Sequence, residues 1–112
     1  YQEGGADYVC DECRFRIADV VLNRVADKRY PDTIRDVITQ KSQYGRLHWT
    51  GVKWADRASN KYEQRAVQRA WDTAKAVLEG EHSDLYGNGY IYQSENEQGK
   101  EQVYCCGHYF GK

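Results

Sequence analysis

Apolar positions between Asp11 and Val25 fall three and four residues apart, at Ile17, Val20, Val21 and Val25, the spacing of a helix with one buried stripe. The Val20-Val21 pair would suit a strand, but its flanks do not alternate with period two. A shorter helical pattern follows at Ile34, Val37 and Ile38, with Pro31 suited to the first helical position and Asp32 to the positive end of the helix dipole. Asn60, with Glu63 three residues on, gives a capping signal. Val67, Ala70, Trp71, Ala74, Val77 and Leu78 then hold a helical face until Gly80 stops it. Residues 41–58 lack a sustained period and carry glycine, tryptophan, tyrosine and histidine, the composition of a binding loop. After "DLYGNGY" the period shortens. "YIYQS" and "EQVYCC" read as strands joined through the turn-forming "ENEQGK", an antiparallel hairpin. The pattern predicts an α+β fold of about three or more helices with a small hairpin at the C-terminal end.

Length changes the picture little: 112 residues fit one domain, residues 1–112, with one core and no linker. Charge is nearly balanced, 16 Lys+Arg against 17 Asp+Glu, which argues against a phosphate-backbone partner such as nucleic acid. No apolar run approaches the roughly 20 residues needed to span a bilayer, so no membrane span is expected. A first residue of Tyr and the absence of Met predict a chain that was processed or cut from a longer protein, with room for an upstream signal peptide. The 10 Tyr and 3 Trp offer flat faces with polar tips, which suit either sugar or peptide surfaces or the wet edges of a small core.

Four cysteines, Cys10, Cys13, Cys105 and Cys106, stand in two pairs near the two ends of the chain. One or two end-to-end disulfides are the leading reading. Such a bridge closes a loop of about 90 residues and removes on the order of 4 kcal/mol of unfolded-state entropy. Reduced structural thiols come second. A zinc site or redox role ranks below both, because the vicinal "CC" fits one tetrahedral ion poorly and too little chain precedes "CDEC" for a thioredoxin-like layout.

The segment "ADVVLNRVADKRYPDTIRDVITQKSQY" resembles the signature region of the SleB and CwlJ cell wall hydrolases, the spore cortex-lytic enzyme family. Leu22 to Val25, Tyr30 to Ile34 and the Gln43-Tyr44 pair stand where that family has its Leu-Asn-Arg-Val, aromatic-Pro-x-Thr-Ile and Gln-aromatic motifs. "GYIYQS" is similar to its aromatic strand, and Gly107, His108 and Phe110 in "CGHYFGK" to its closing segment. The resemblance runs along nearly the whole chain. It implies a lysozyme-like fold and a lytic transglycosylase of peptidoglycan glycan strands, secreted or associated with cell wall or spore, a phage lysin included. It implies no cofactor and Glu3, in "YQEGG", as the single catalytic acid. The protein is expected to act as a monomer.

The residues can carry that chemistry. Two carboxylates are the usual requirement for glycoside cleavage. One suffices where the 6-hydroxyl of N-acetylmuramic acid attacks its own anomeric carbon, since intramolecular attack has a large effective molarity. Gln43, Tyr44, Tyr90, Tyr92 and Gln93 are the candidates for saccharide contact, by amide hydrogen bonding and ring stacking, with core packing as the alternative reading. Asn23 and Arg24, near a helix end, read as partners of backbone carbonyls or of an acid. His108 reads as a strand histidine without a triad around it, and His48 and His82 lack the spacing of a zinc amidase, so no metal is expected. A muramidase, drawing a second carboxylate from Glu95 or Glu97, an amidase and a non-catalytic wall-binding module are the other functions in view.

Overall fold

The computed structural model describes residues 9–40, 57–81 and 85–112. Helix α1 spans Asp11–Ala26. Asp11 and Glu12 lie in its first turn and Arg24 in its last, as the helix dipole favours, and Glu12 pairs with Arg16 one turn on at 2.6 Å. Its buried side includes Cys13, Ile17 and Val20. Helix α2, Ile34–Ile38, starts three residues later than the proline suggests. The Thr33 hydroxyl caps it by accepting from the Asp36 N–H at 3.2 Å, and Pro31 lies outside the helix, just after the turn in which the Tyr30 N–H donates to the Asp27 carbonyl. Helix α3, Lys61–Leu78, opens on Asn60, whose Oδ1 accepts from the Glu63 N–H at 2.8 Å. The Glu63 carboxylate reaches back to the Ser59 N–H at 3.1 Å, a capping box displaced by one residue.

The buried side of α3 differs in part from the sequence expectation. Val77 is buried as expected, but Ala66 and Thr73 are buried with it, whereas Trp71 and Leu78 are 68% and 71% exposed. Thr73 hides its hydroxyl by donating to the Arg69 carbonyl at 2.9 Å. Arg69 fastens α3 to the start of α1, giving hydrogen bonds to the Asp11 carboxylate (3.0 Å) and the Val9 carbonyl (3.2 Å).

The C-terminal third forms a three-stranded antiparallel sheet of β1 (Tyr92–Ser94), β2 (Val103–Cys105) and β3 (His108–Gly111), in the order β1-β3-β2. The two strands expected to pair with each other are therefore separated by the third. The physical reason is the turn Cys106-Gly107, where φ values of 46° and 89° give the twist a tight two-residue hairpin needs, so β2 turns straight into β3. The "ENEQGK" segment instead closes onto the chain end, with Lys100 and Lys112 exchanging backbone hydrogen bonds at 2.8 and 2.9 Å. The core packs Phe110 and Leu85 against Val9, Cys13, Ile17 and Val20, with Tyr90, Val103 and Cys105 around them. Full burial of a side chain such as Phe110 contributes about 2–3 kcal/mol. Among the described residues no helix is long and apolar enough to cross a membrane.

Candidate functional site

The Leu22–Val25 motif works as a clamp between α1 and the segment leading into β1. Asn23 is buried, and its amide donates to the carbonyls of Leu85 (3.1 Å) and Tyr90 (3.0 Å) while its Oδ1 accepts from the Gly87 N–H (2.9 Å). The next residue continues the grip: Arg24 Nε donates to the Ile91 carbonyl at 2.7 Å, and its guanidinium lies 5.1 Å from the centre of the Tyr30 ring. Carbonyl satisfaction was the expected role for this pair, and the carbonyls belong to a segment more than 60 residues away.

That clamp fixes the segment 90–93, which carries three of the five expected saccharide contacts. Tyr90 packs against the core with the Lys112 ammonium 5.1 Å from its ring centre. Tyr92 and Gln93 follow, and strand alternation sends them to opposite faces. Gln93 pairs with Phe110 in the register and so shares the core-side face with Val103, Cys105 and His108. Its amide nitrogen lies 3.4 Å from His108 Nδ1, a donor to that nitrogen when the ring proton sits on Nε2. Tyr92 shares the outer face with Tyr104 and Tyr109, whose rings meet edge to face with centres 5.0 Å apart. Because β1 is an edge strand among the described residues, a ligand lying along its free side could touch both faces.

The start of α1 and the β2–β3 turn meet at the cysteines. Cys10 is the N-cap residue of α1 and Cys13 sits in its first turn; Cys105 ends β2 and Cys106 begins the turn. All four Sγ atoms lie within 4.8 Å of one another, and all four residues are free thiols. Cys106 Sγ donates to Cys10 Sγ at 3.1 Å, Cys10 and Cys105 are 3.9 Å apart, and the Cys13 thiol points at the Cys105 carbonyl at 2.8 Å. The environment splits their acidities. The Cys106 thiol, aided by the Cys13 N–H, holds Cys10 below the ordinary thiol value. Burial pushes Cys13 far above it and Cys105 up to about 11, with the neighbouring sulfurs adding to the rise at Cys13.

Glu3, Gln43 and Tyr44 lie outside the described residues, as does most of the aromatic loop 41–58. Glu95 and Glu97 are exposed beyond β1. Two features of the site were not assigned from the sequence: which backbone groups Asn23 and Arg24 hold, and the gathering of all four sulfurs at one point. No local signal could have given the first, whereas the paired spacing of the cysteines hinted at the second.

No curated protein and no solved structure matches the chain. The cell wall hydrolase family model, in contrast, matches residues 11–107, from the first residue of α1 through the β2–β3 turn and so across every element of the clamp. With that match covering most of its length, the chain belongs to the cell wall hydrolase family.

Proposed function

We propose that this protein cuts peptidoglycan glycan strands as a lytic transglycosylase, breaking the bond between N-acetylmuramic acid and N-acetylglucosamine. The family match across residues 11–107 carries the reading at the level of a peptidoglycan-acting hydrolase. The finer mechanism rests on the resemblance of Leu22–Val25, Tyr30–Ile34 and Gly107–Phe110 to the cortex-lytic enzymes. In this mechanism a protonated Glu3 gives its proton to the bridging oxygen as the bond to the anomeric carbon breaks. The muramic 6-hydroxyl oxygen then bonds to that carbon, its proton passes to the Glu3 carboxylate, and a 1,6-anhydro end remains with the acid reset. Such a group needs its proton near neutral pH, which calls for apolar surroundings. No cofactor enters the cycle.

Gln43, Tyr44, Tyr90, Tyr92 and Gln93 are assigned to the glycan. Lying along the open side of β1, a sugar strand would stack on the outer tyrosines and hydrogen-bond to the Gln93 amide. Mass spectrometry of purified peptidoglycan after digestion tests the reading. Anhydro-muramic ends should form with the wild type and vanish with Glu3→Gln, while co-sedimentation with the wall persists. Reducing muramic ends would make the protein a muramidase and released stem peptides an amidase. Wall binding without any turnover would make it a binding module.

A further inference from the structure

The proposed cleavage makes no use of the sulfur cluster, whose four Sγ atoms face one another within 4.8 Å. We propose that Cys10, Cys13, Cys105 and Cys106 form a structural four-thiolate site for a zinc ion, which ties the start of α1 to the β2–β3 turn. Four thiolates at about 2.3 Å from a tetrahedral zinc stand about 3.8 Å from one another. The cluster already has nearly that shape: one pair at 3.9 Å, one at 3.1 Å, and none beyond 4.8 Å.

Each half of the site is a recognisable ligand-bearing turn. Cys10 and Cys13 are one helical turn apart at the N-terminus of α1, a Cys-x-x-Cys pair whose two sulfurs share one side. Vicinal cysteines in an extended strand point to opposite faces and could not chelate together. Here Cys105 ends the strand, and Cys106 enters the left-handed region at φ 46°, which carries its sulfur round to the others. Gly107, also at positive φ, lets the turn close. Soft thiolates in a tetrahedral set favour zinc over the harder divalent ions. Binding would release the thiol protons to solvent, and the Arg14 guanidinium, within electrostatic reach of Cys10, would offset part of the remaining negative charge.

Elemental analysis of protein purified without chelator, with intact mass under native and denaturing non-reducing conditions, tests the site. The expected result is about one zinc per chain, a native mass raised by the metal, and a denatured mass with all four thiols intact. Replacing zinc by cobalt should give the thiolate-to-cobalt absorption and the visible bands of a tetrahedral centre. Cys13→Ser should weaken those bands. A denatured mass two or four daltons low, from one or two disulfides, would overturn the proposal, and so would a metal-free chain with four titratable thiols that fails to bind cobalt. Because the cobalt spectrum is read on the unaltered chain, the test does not depend on whether the variant folds. It is also independent of wall-cutting activity.

Discussion

Replacing Asn23 by alanine is the sharpest probe of the clamp. The change strips donors from the carbonyls of Leu85 and Tyr90 and an acceptor from the Gly87 N–H. A buried polar group left without a partner costs about 1–3 kcal/mol, against about 1 kcal/mol for an ordinary hydrogen bond's net contribution. The Leu85 contact is fully buried, while the other two are partly buried and can recover some hydration, so the loss should be about 3 kcal/mol in all. For a domain of this size that corresponds to a fall in Tm of about 13 °C. Urea and thermal unfolding followed by circular dichroism give the number. Asn23→Asp makes the test stricter. Its carboxylate keeps the acceptor for Gly87 but sets negative charge against two carbonyl oxygens, so its folded-state pKa must rise. That variant should be at least as unstable as Asn23→Ala near neutrality and gain stability as pH falls, because only the protonated acid can donate. A loss below about 1 kcal/mol for Asn23→Ala, or no gain in acid for Asn23→Asp, would show that the segment before β1 is held by something else.

Two further outcomes follow from the described surface. Trp71→Ala and Leu78→Ala, at positions 68% and 71% exposed, should each leave stability within about 0.5 kcal/mol of the wild type in the same unfolding assay; a loss above about 2 kcal/mol would mean that both lie under cover. Asp27 accepts from the Arg29 N–H (2.8 Å), Nε (3.0 Å) and Nη2 (2.8 Å), and those hydrogen bonds lower its carboxyl to about 2. Its pair therefore stabilises the fold above the ordinary aspartate range, about pH 4, and is lost as the pH falls through about 2. Carboxyl-carbon NMR should find the Asp27 midpoint well below the ordinary aspartate value, and Arg29→Ala should bring it back.

The helices were largely legible because their signals are local. The Asn60–Glu63 cap and the stripe of Ile17 and Val20 need only residues within a few positions of each other. Which stripe of α3 packs was not legible. Ala66 and Thr73 are a seven-residue step apart, as Trp71 and Leu78 are, and Val77 is buried with the first pair although the sequence grouped it with the second. Strand order was misread for a related reason. Composition marks "YIYQS" and "EQVYCC" as strands but cannot say that the short "HYFG" inserts between them, since a Cys-Gly turn at positive φ carries only half of the familiar Asn-Gly signal. At the site, the sequence offered Tyr92 and Gln93 as candidate saccharide contacts without saying how they face, and strand alternation divides them between two faces.

Helix α1 is gripped twice, at its first turn by the sulfur cluster and near its last turn by Asn23 and Arg24, and both grips hold parts of the same C-terminal sheet region. Cys13 and Asn23 are ten residues apart on the helix, a separation of about 15 Å along its axis. Sites so far apart with no shared partner add within about 0.5 kcal/mol when they act independently. A thermodynamic cycle over Cys13→Ala, Asn23→Ala and the double variant therefore asks whether the sheet docks as one unit. If β1 can part from α1 while the β2–β3 turn stays attached, the two losses add. If release of either end frees the whole sheet, the second substitution costs much less than it does alone, and the coupling exceeds about 1 kcal/mol. The pairing favours the second outcome, because β3 lies between β1 and β2 and is hydrogen-bonded to both, so neither edge can move away without tearing the central strand from a neighbour. Strict additivity would refute that view and make each clamp a separate local fastening.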